Sequence, residues 1–358
     1  MTITSISLMK EKTIYFLKRK WGDNLKSYFF LVTLGLSLIL AACGQGDSSE
    51  GIEKNQVKQT ETQNSSIEQQ EEKDNSQFLA TNEFFEPFNG KIDHVHGIGY
   101  AGDQGIPFFA AHDGLKLYDN GKWFKTKKEN NDYMGFNATN NGFYSSGHPG
   151  VDSNLPNPIG IQRSNDNGKT LESLGLEGEV DFHLMGVGYN NETIFVMSPQ
   201  KSSLMDANTF YVSEDDAKTW KEVAGNSLDD ELISVAVHPM DGNFIAAAGQ
   251  KGIYLSKDKG ENFELITRKK QGTSAFFTND NLIFGTFDGE ASLTRYSLKD
   301  NSEEEISLPE MKQDAVLYFA RNPQNEKEMT FVSFNGNIYQ TKDNAQNWKL
   351  LVENGALK

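Results

Sequence analysis

Six histidines occur in 358 residues, and five of them fall between residues 94 and 183. They stand in three short clusters with carboxylates: Asp93-His94-Val95-His96-Gly97, His112-Asp113-Gly114 and Asp181-Phe182-His183, with His148 between them in Ser146-Gly147-His148-Pro149. Imidazole nitrogens that converge with carboxylate oxygens suit Zn²⁺, Cu²⁺ or another first-row metal ion. His94, His96, His112, His148 and His183 are therefore candidate ligand-binding and metal-ligating residues. Asp93, Asp113 and Asp181 are candidate ligands or outer partners. Met134, Met185 and Met197 lie in the same stretch, and thioethers there would favour Cu(I). The competing reading is a histidine-lined mouth that binds an organic ligand or hydrogen-bonds within itself. A hydrolase would instead need two carboxylates about 5–10 Å apart, for which Asp93 and Asp181 are the acid–base candidates.

These residues need a scaffold, and a repeat supplies it. Ser164-Asn-Asp166-Asn-Gly168-Lys-Thr170-Leu171 matches Ser213-Glu-Asp215-Asp-Ala217-Lys-Thr219-Trp220. It also matches Ser256-Lys-Asp258-Lys-Gly260-Glu-Asn262-Phe263 and Thr341-Lys-Asp343-Asn-Ala345-Gln-Asn347-Trp348. Decayed copies at Leu117–Trp123 and Thr294–Asp300 bring the number of units to six, each roughly 43–49 residues long. That is the length of a four-stranded propeller blade, and the intervening residues read as short strands broken by Gly, Asn and Asp. The expected fold is all-β: a six-bladed β-propeller of four-stranded antiparallel blades, with seven blades as the alternative. Within a blade, strand A starts and strand B ends on one face, while the C–D turns carrying the repeat motif lie on the other. Five of the six histidines fall on the face opposite the repeat motifs, over blades one to three.

Comparison between blades separates architecture from chemistry. Val237-His238-Pro239 aligns with Arg321-Asn322-Pro323, so His238 is a turn residue. Phe287-Asp-Gly289 and Phe334-Asn-Gly336 occupy the place of His112-Asp-Gly114, so the acid is turn chemistry and the imidazole of His112 is peculiar to blade one. His94 and His96, two apart on an expected strand, would point the same way. Function is grafted where the repeat is broken.

The eight-residue motif resembles the BNR or Asp-box repeat of sialidase- and sortilin-type propellers. That resemblance implies a structural role for Asp166, Asp215, Asp258 and Asp343, each accepting backbone N–H groups of a C–D hairpin. The motifs His94–Gly97, His112–Gly114, Asp132–Phe136, Ser146–Pro149 and Asp181–His183 are similar to those of bacterial BNR-propeller lipoproteins usually labelled glycosylhydrolase-like. No established reaction accompanies that resemblance. A sialidase is excluded: its arginine triad is missing, since Arg163, Arg268, Arg295 and Arg321 are the only arginines after residue 42 and do not cluster on the ligand face.

The ends of the chain set the address. Basic residues from Lys10 to Lys26 precede an apolar run, Tyr28–Leu40, followed by Leu40-Ala41-Ala42-Cys43. Such a run reads as a secretory leader over 1–42. Leu-Ala-Ala-Cys resembles the lipobox of bacterial lipoproteins, which implies lipidation of Cys43, the only cysteine, and anchoring on the extracytoplasmic face of the cell membrane. Residues 43–77 hold almost no apolar side chains and should form a disordered tether spanning about 30 Å. Folded structure is expected over 78–358. Residues 43–358 carry 28 Lys and Arg against 48 Asp and Glu, a net charge of −20. That excludes nucleic acid as a partner. The expected partners are membrane lipid through Cys43 and a small ligand, a glycan or an envelope protein on the histidine face. The favoured function is metal or small-ligand binding by a cell-surface lipoprotein. The alternatives are a glycoside hydrolase-like enzyme and a protein-docking scaffold.

Overall fold

Runs rich in Val, Ile, Phe and Tyr, cut by Gly, Asn and Asp turns, form strands two to eight residues long along the chain. The structure, a computed structural model, describes residue 79 and residues 81–358. The expected leader, Cys43 and the tether lie outside the described residues. Among the described residues no helix is long and apolar enough to cross a membrane.

A short strand, β1 (Phe85–Pro87), enters first. Blade one then contains β2 (Val95–Tyr100), β3 (Pro107–Ala111), β4 (Gly114–Asp119) and β5 (Lys122–Thr126), with β1 added outside β5. Blade two contains β6 (Asp132–Thr139), β7 (Gly142–His148), β8 (Ile161–Ser164) and β9 (Glu172–Gly175). Blade three contains β10 (Met185–Val187), β11 (Ile194–Ser198), β12 (Thr209–Ser213) and β13 (Lys221–Val223). Blade four contains β14 (Leu232–Val237), β15 (Ile245–Gly249), β16 (Gly252–Ser256) and β17 (Glu264–Leu265). Blade five contains β18 (Gln271–Phe277), β19 (Asn281–Phe287), β20 (Ala291–Ser297) and β21 (Glu303–Ile306). Blade six contains β22 (Val316–Arg321), β23 (Met329–Ser333), β24 (Ile338–Thr341) and β25 (Lys349–Glu353), extended outward by β26 (Ala356–Leu357). Each blade is an antiparallel meander, and the chain is a six-bladed β-propeller. The two decayed repeats occupy the β4–β5 and β20–β21 hairpins, where the count of six required them. The extra edge strands β1 and β26 were not expected.

The repeat aspartates clamp their hairpins. Asp166 Oδ1 accepts from Ser164 Oγ and from the Thr170 backbone N–H, each at 2.9 Å, while Oδ2 accepts from Thr170 Oγ1 at 2.8 Å. Asp215, Asp258 and Asp343 repeat this pattern. Ala217 and Ala345, where the other two repeats have Gly, take the same left-handed backbone at φ 59° and 65°.

Apolar side chains pack mainly between blades. Phe108 and Leu115 of blade one join Tyr133, Phe136 and Phe143 of blade two in one cluster. Ile98, Tyr100 and Phe109 join Val332, Ile338 and Leu351 of blade six in another, which closes the ring. Closure also uses a Lys91–Ala356 bridge and a hydrogen bond from the Ile92 N–H to the Gly355 carbonyl at 2.9 Å. The first strands of the blades line a central cavity of about 540 Å³. In five of them the ladder to the second strand slips near the start, between Val95 and Gly97, Met134 and Asn137, Leu232 and Ser234, Gly272 and Ser274, and Val316 and Tyr318. Such bulges turn a side chain out of the regular alternation.

Neighbouring inner strands approach closely where they lack side-chain bulk. A Cβ on Gly99 would lie 2.4 Å from Ala138 Cβ on β6. Gly99→Ala should therefore cost about 1–3 kcal/mol through overpacking, lowering the thermal midpoint by several degrees. Adding Ala138→Gly should restore at least half of the loss. Equal midpoints for wild type and Gly99→Ala in thermal unfolding would contradict the packing described here.

Candidate functional site

Two seams between blades gather the histidines. At the first, the end of β3 delivers His112, and the start of β6 delivers Asp132 from the next blade. His112 Nδ1 donates to Asp132 Oδ2 at 2.7 Å. His96 occupies the bulge of β2, and its Nε2 stands 3.4 Å from His112 Nδ1 and 3.3 Å from Asp132 Oδ1. His96 and Asp132 are mostly buried, whereas His112 is 39% exposed. Asp132 Oδ1 is buried and has no hydrogen-bond partner.

Protons alone satisfy this cluster poorly. Two imidazole nitrogens and a carboxylate face one another, and the proton placed between His112 and Asp132 leaves only His96 Nε2, at a long 3.3 Å, to meet the buried Asp132 Oδ1. A tetrahedral ion with ligands at about 2.0–2.1 Å has ligand–ligand edges of about 3.3 Å. The 3.4 Å and 3.3 Å separations around His96 Nε2 match those edges. His96, His112 and Asp132 all offer a ligand atom within 4.8 Å of one another, and among the described residues no other group of His, Cys, Asp and Glu meets that criterion.

At the second seam the end of β7 delivers His148, and the segment before β10 delivers Asp181 and His183. Asp181 Oδ2 receives His183 Nε2 at 2.6 Å and stands 3.2 Å from His148 Nε2. His148 Nδ1 donates to Asn157 Oδ1 at 2.7 Å. Ser146 Oγ accepts the Phe182 N–H at 2.9 Å and fixes the chain that carries Asp181. Gly147 has φ +122°, and a Cβ there would stand 2.0 Å from the Asp132 carbonyl, so only glycine lets His148 lie opposite Asp132 on the ladder. This explains why Ser, Gly and His occur together at 146–148.

The five histidines therefore divide between two seams instead of converging on one centre. His94 departs furthest from expectation. It precedes β2 at φ +51° and is exposed, its ring packed edge-on against His112 at 5.1 Å, outside the His96–His112–Asp132 triad. His94 and His96 both pack against the His112 ring, but not by strand alternation, because His96 sits on a bulge and His94 is not in the strand. Asp113 pairs with Lys116 at 2.8 Å and serves its turn. Asp93 is exposed, its carboxylate against Gly355 of the closing seam. Met134 and Met185 are buried among apolar residues. His238 holds its own turn, with Nδ1 accepting the Met240 and Asp241 N–H groups. Two site residues were not anticipated: Asp132, visible only as part of Asp132–Phe136, and Asn157, in the loop after β7.

No protein-family model and no curated protein matches the chain. Among solved structures it is similar to propeller proteins. They include a GH74 enzyme of Niastella koreensis (TM-score 0.47, 16% identity, 75% of this chain and 47% of that one). An ancestral GH74 enzyme follows (0.46, 12%, 76% and 40%), and then YCF48 from Cyanidioschyzon merolae (0.46, 13%, 76% and 89%). The chain spans less than half the length of either GH74 enzyme.

Electrostatics mark the second seam. The hydrogen bond to Asp181 pushes the His148 imidazole up to about 9, with burial opposing and Asn157 assisting. Burial raises the Asp181 carboxyl, but the hydrogen bonds from His148 and His183 outweigh it and hold the group well below the usual carboxylate range. Folding thus favours protonated His148, so its contribution is complete below about pH 6.5 and is lost as pH rises towards 9. In metal-free protein, denaturant midpoints should fall over that window for wild type. His148→Gln should be flatter across it, and parallel curves for the two proteins would refute the pairing.

Proposed function

We propose that this chain is an exported, lipid-anchored propeller that binds a first-row divalent metal ion through His96, His112 and Asp132. The observation that carries this reading is that ligand atoms of His96, His112 and Asp132 lie within 4.8 Å of one another, with Asp132 Oδ1 buried and only His96 Nε2 facing it, at 3.3 Å. A buried carboxylate oxygen is costly unless a cation or a well-placed donor meets it. Three protein ligands leave one coordination position for water or an exogenous ligand. His96 also lines the central cavity, so that position is accessible from the channel mouth. His, His and carboxylate donors suit Zn²⁺, Cu²⁺ or Co²⁺ more than Ca²⁺ or Mg²⁺. Anchoring rests on Leu40-Ala41-Ala42-Cys43 after the apolar run, and the repeats support membership of the BNR/Asp-box propellers.

A hydrolase acting on glycans through Asp93 and Asp181 is less well supported. Asp181 is held ionised by two imidazoles and is no proton donor near neutral pH. Asp93 contributes to neither histidine seam.

Metal content decides the reading. The full chain, carried without a histidine tag and dialysed against Zn²⁺, should retain zinc by mass spectrometry. His96→Ala with His112→Ala should bind this ion more weakly by over 100-fold, beyond the roughly 10–100-fold typical of outer partners. Zinc binding unchanged in that double variant would refute the site.

A further inference from the structure

Five of the six first strands resume their ladder at the residue after the slip: Gly97 in blade one, Asn137 in blade two, Ser234 in blade four, Ser274 in blade five and Tyr318 in blade six. All five line the central cavity. Their polar side chains are of two kinds. Asn137 is fully used in joining blades two and three. Its amide donates to the Gly135 and Met185 carbonyls at 2.9 and 2.8 Å, and its Oδ1 accepts the Val187 N–H at 3.1 Å. Ser274 Oγ accepts the Gly285 N–H of its own blade at 3.1 Å. Ser234 and Tyr318 are half-buried, and neither hydroxyl hydrogen-bonds to any described residue. Burial pushes the Tyr318 hydroxyl up to about 12, so it is a neutral donor at any physiological pH.

We infer that the channel behind the histidine mouth binds a small organic acid, held by the hydroxyls of Tyr318 and Ser234. The choice of an acid rests on the metal reading above, because the open position on the ion of His96, His112 and Asp132 is where its carboxylate belongs. The cavity, about 540 Å³, has the size of a small-molecule site. Its wall is built like one as well. Ile233 and Leu317, the extra residues of two bulges, line it together with Ala236, Phe276 and Ala320. A largely apolar lining with a few placed polar groups both encloses a ligand and orients it. A polar group that faces such a wall without a partner is costly until a ligand meets it. The groups on offer define that ligand. A cation and two hydroxyl donors are satisfied together by oxygens that accept and do not donate, and an ionised carboxylate is the group of that kind. A second carboxylate or a hydroxyl on the same molecule serves the hydroxyl that the first leaves unmet. The chain as a whole is acidic, but beside the ion the ion's own charge sets the local sign.

Isothermal titration of the full untagged chain, loaded with Zn²⁺, against L-malate and succinate tests this. At least one of the two acids should bind, and sorbitol, an uncharged polyol, should not. Tyr318→Phe should weaken the acid roughly 10–100-fold, and Ser234→Ala about 10-fold. Both variants should keep the zinc content and thermal midpoint of the wild type, since neither hydroxyl has a protein partner to lose. Stripping the zinc should weaken the acid at least 10-fold. A zinc-loaded chain that binds neither acid, binds sorbitol as well as the acids, or binds the acids equally in wild type and both variants would overturn the inference and leave the metal site intact. A chain that holds no zinc yet binds an acid through Tyr318 would sustain the channel site and overturn the metal reading. A chain that binds neither zinc nor acid would overturn both.

Discussion

The inner strands of blades one and two must lie close enough that a residue from one blade completes a cluster begun by the other. Gly99 against Ala138 shows how close that is, since even a methyl group would collide. Everything at the first seam depends on it. His96 and His112 come from blade one and Asp132 from blade two, so the triad exists only while the blades keep their mutual position. Hydrogen bonds within a blade cannot ensure this, because each sheet ends at its own edges. Position between blades is set by packing, chiefly the cluster that joins Phe108 and Leu115 to Tyr133, Phe136 and Phe143. A close-packed interior of this kind resists shifts of the size that would separate ligand atoms.

Two kinds of aspartate reveal what is structural and what is chemical. Asp166 has both oxygens occupied by Ser164 and Thr170, through backbone and hydroxyl donors of one hairpin. Nothing is left over, and the group serves its turn. Asp181 receives both its imidazoles on Oδ2 and leaves Oδ1 buried without a hydrogen bond, whereas Asp132 meets His112 on Oδ2 and only the distant His96 nitrogen on its buried Oδ1. In a chain so rich in acids, burying two more carboxylates against histidines lowers stability unless positive charge accompanies them. A proton on His148 does this at the second seam in the absence of an ion. A metal ion would do it at the first.

Much of the architecture was legible because it repeats. The Asp-containing octapeptide located the C–D hairpins, and its period gave the blade length and the number of blades. The same comparison isolated His112 as a departure from a turn that blades five and six build with Phe. Asp132 escaped because its partner is not near it in sequence: it stands 20 residues from His112 and belongs to the next blade. A sign was available in retrospect, namely a histidine ending one blade's second strand followed by an aspartate opening the next blade. Reading it requires knowing which ends of successive sheets meet. His94 and His96 both reach His112, but not by the route expected. The rule of alternation presumes an unbroken strand, and five of the six first strands slip in register near their starts.

That recurring bulge belongs to the architecture, and blade one has turned it to another use. The corresponding extra residues elsewhere include Ile233, Thr273 and Leu317, ordinary side chains for a channel wall or core. In blade one the same irregularity turns His96 towards Asp132. Blade one is also braced on its other flank, where Ile98 and Tyr100 of β2 pack against blade six and the Tyr100 hydroxyl bonds Thr330 Oγ1 at 2.9 Å and donates to Glu328 at 3.0 Å. The strand that carries His96 is thus held between two neighbours and cannot shift without disturbing the seam that closes the ring. Blades four to six carry none of the site's histidines, yet they fix its geometry, because a ring of six wedges leaves none of them free to rotate alone.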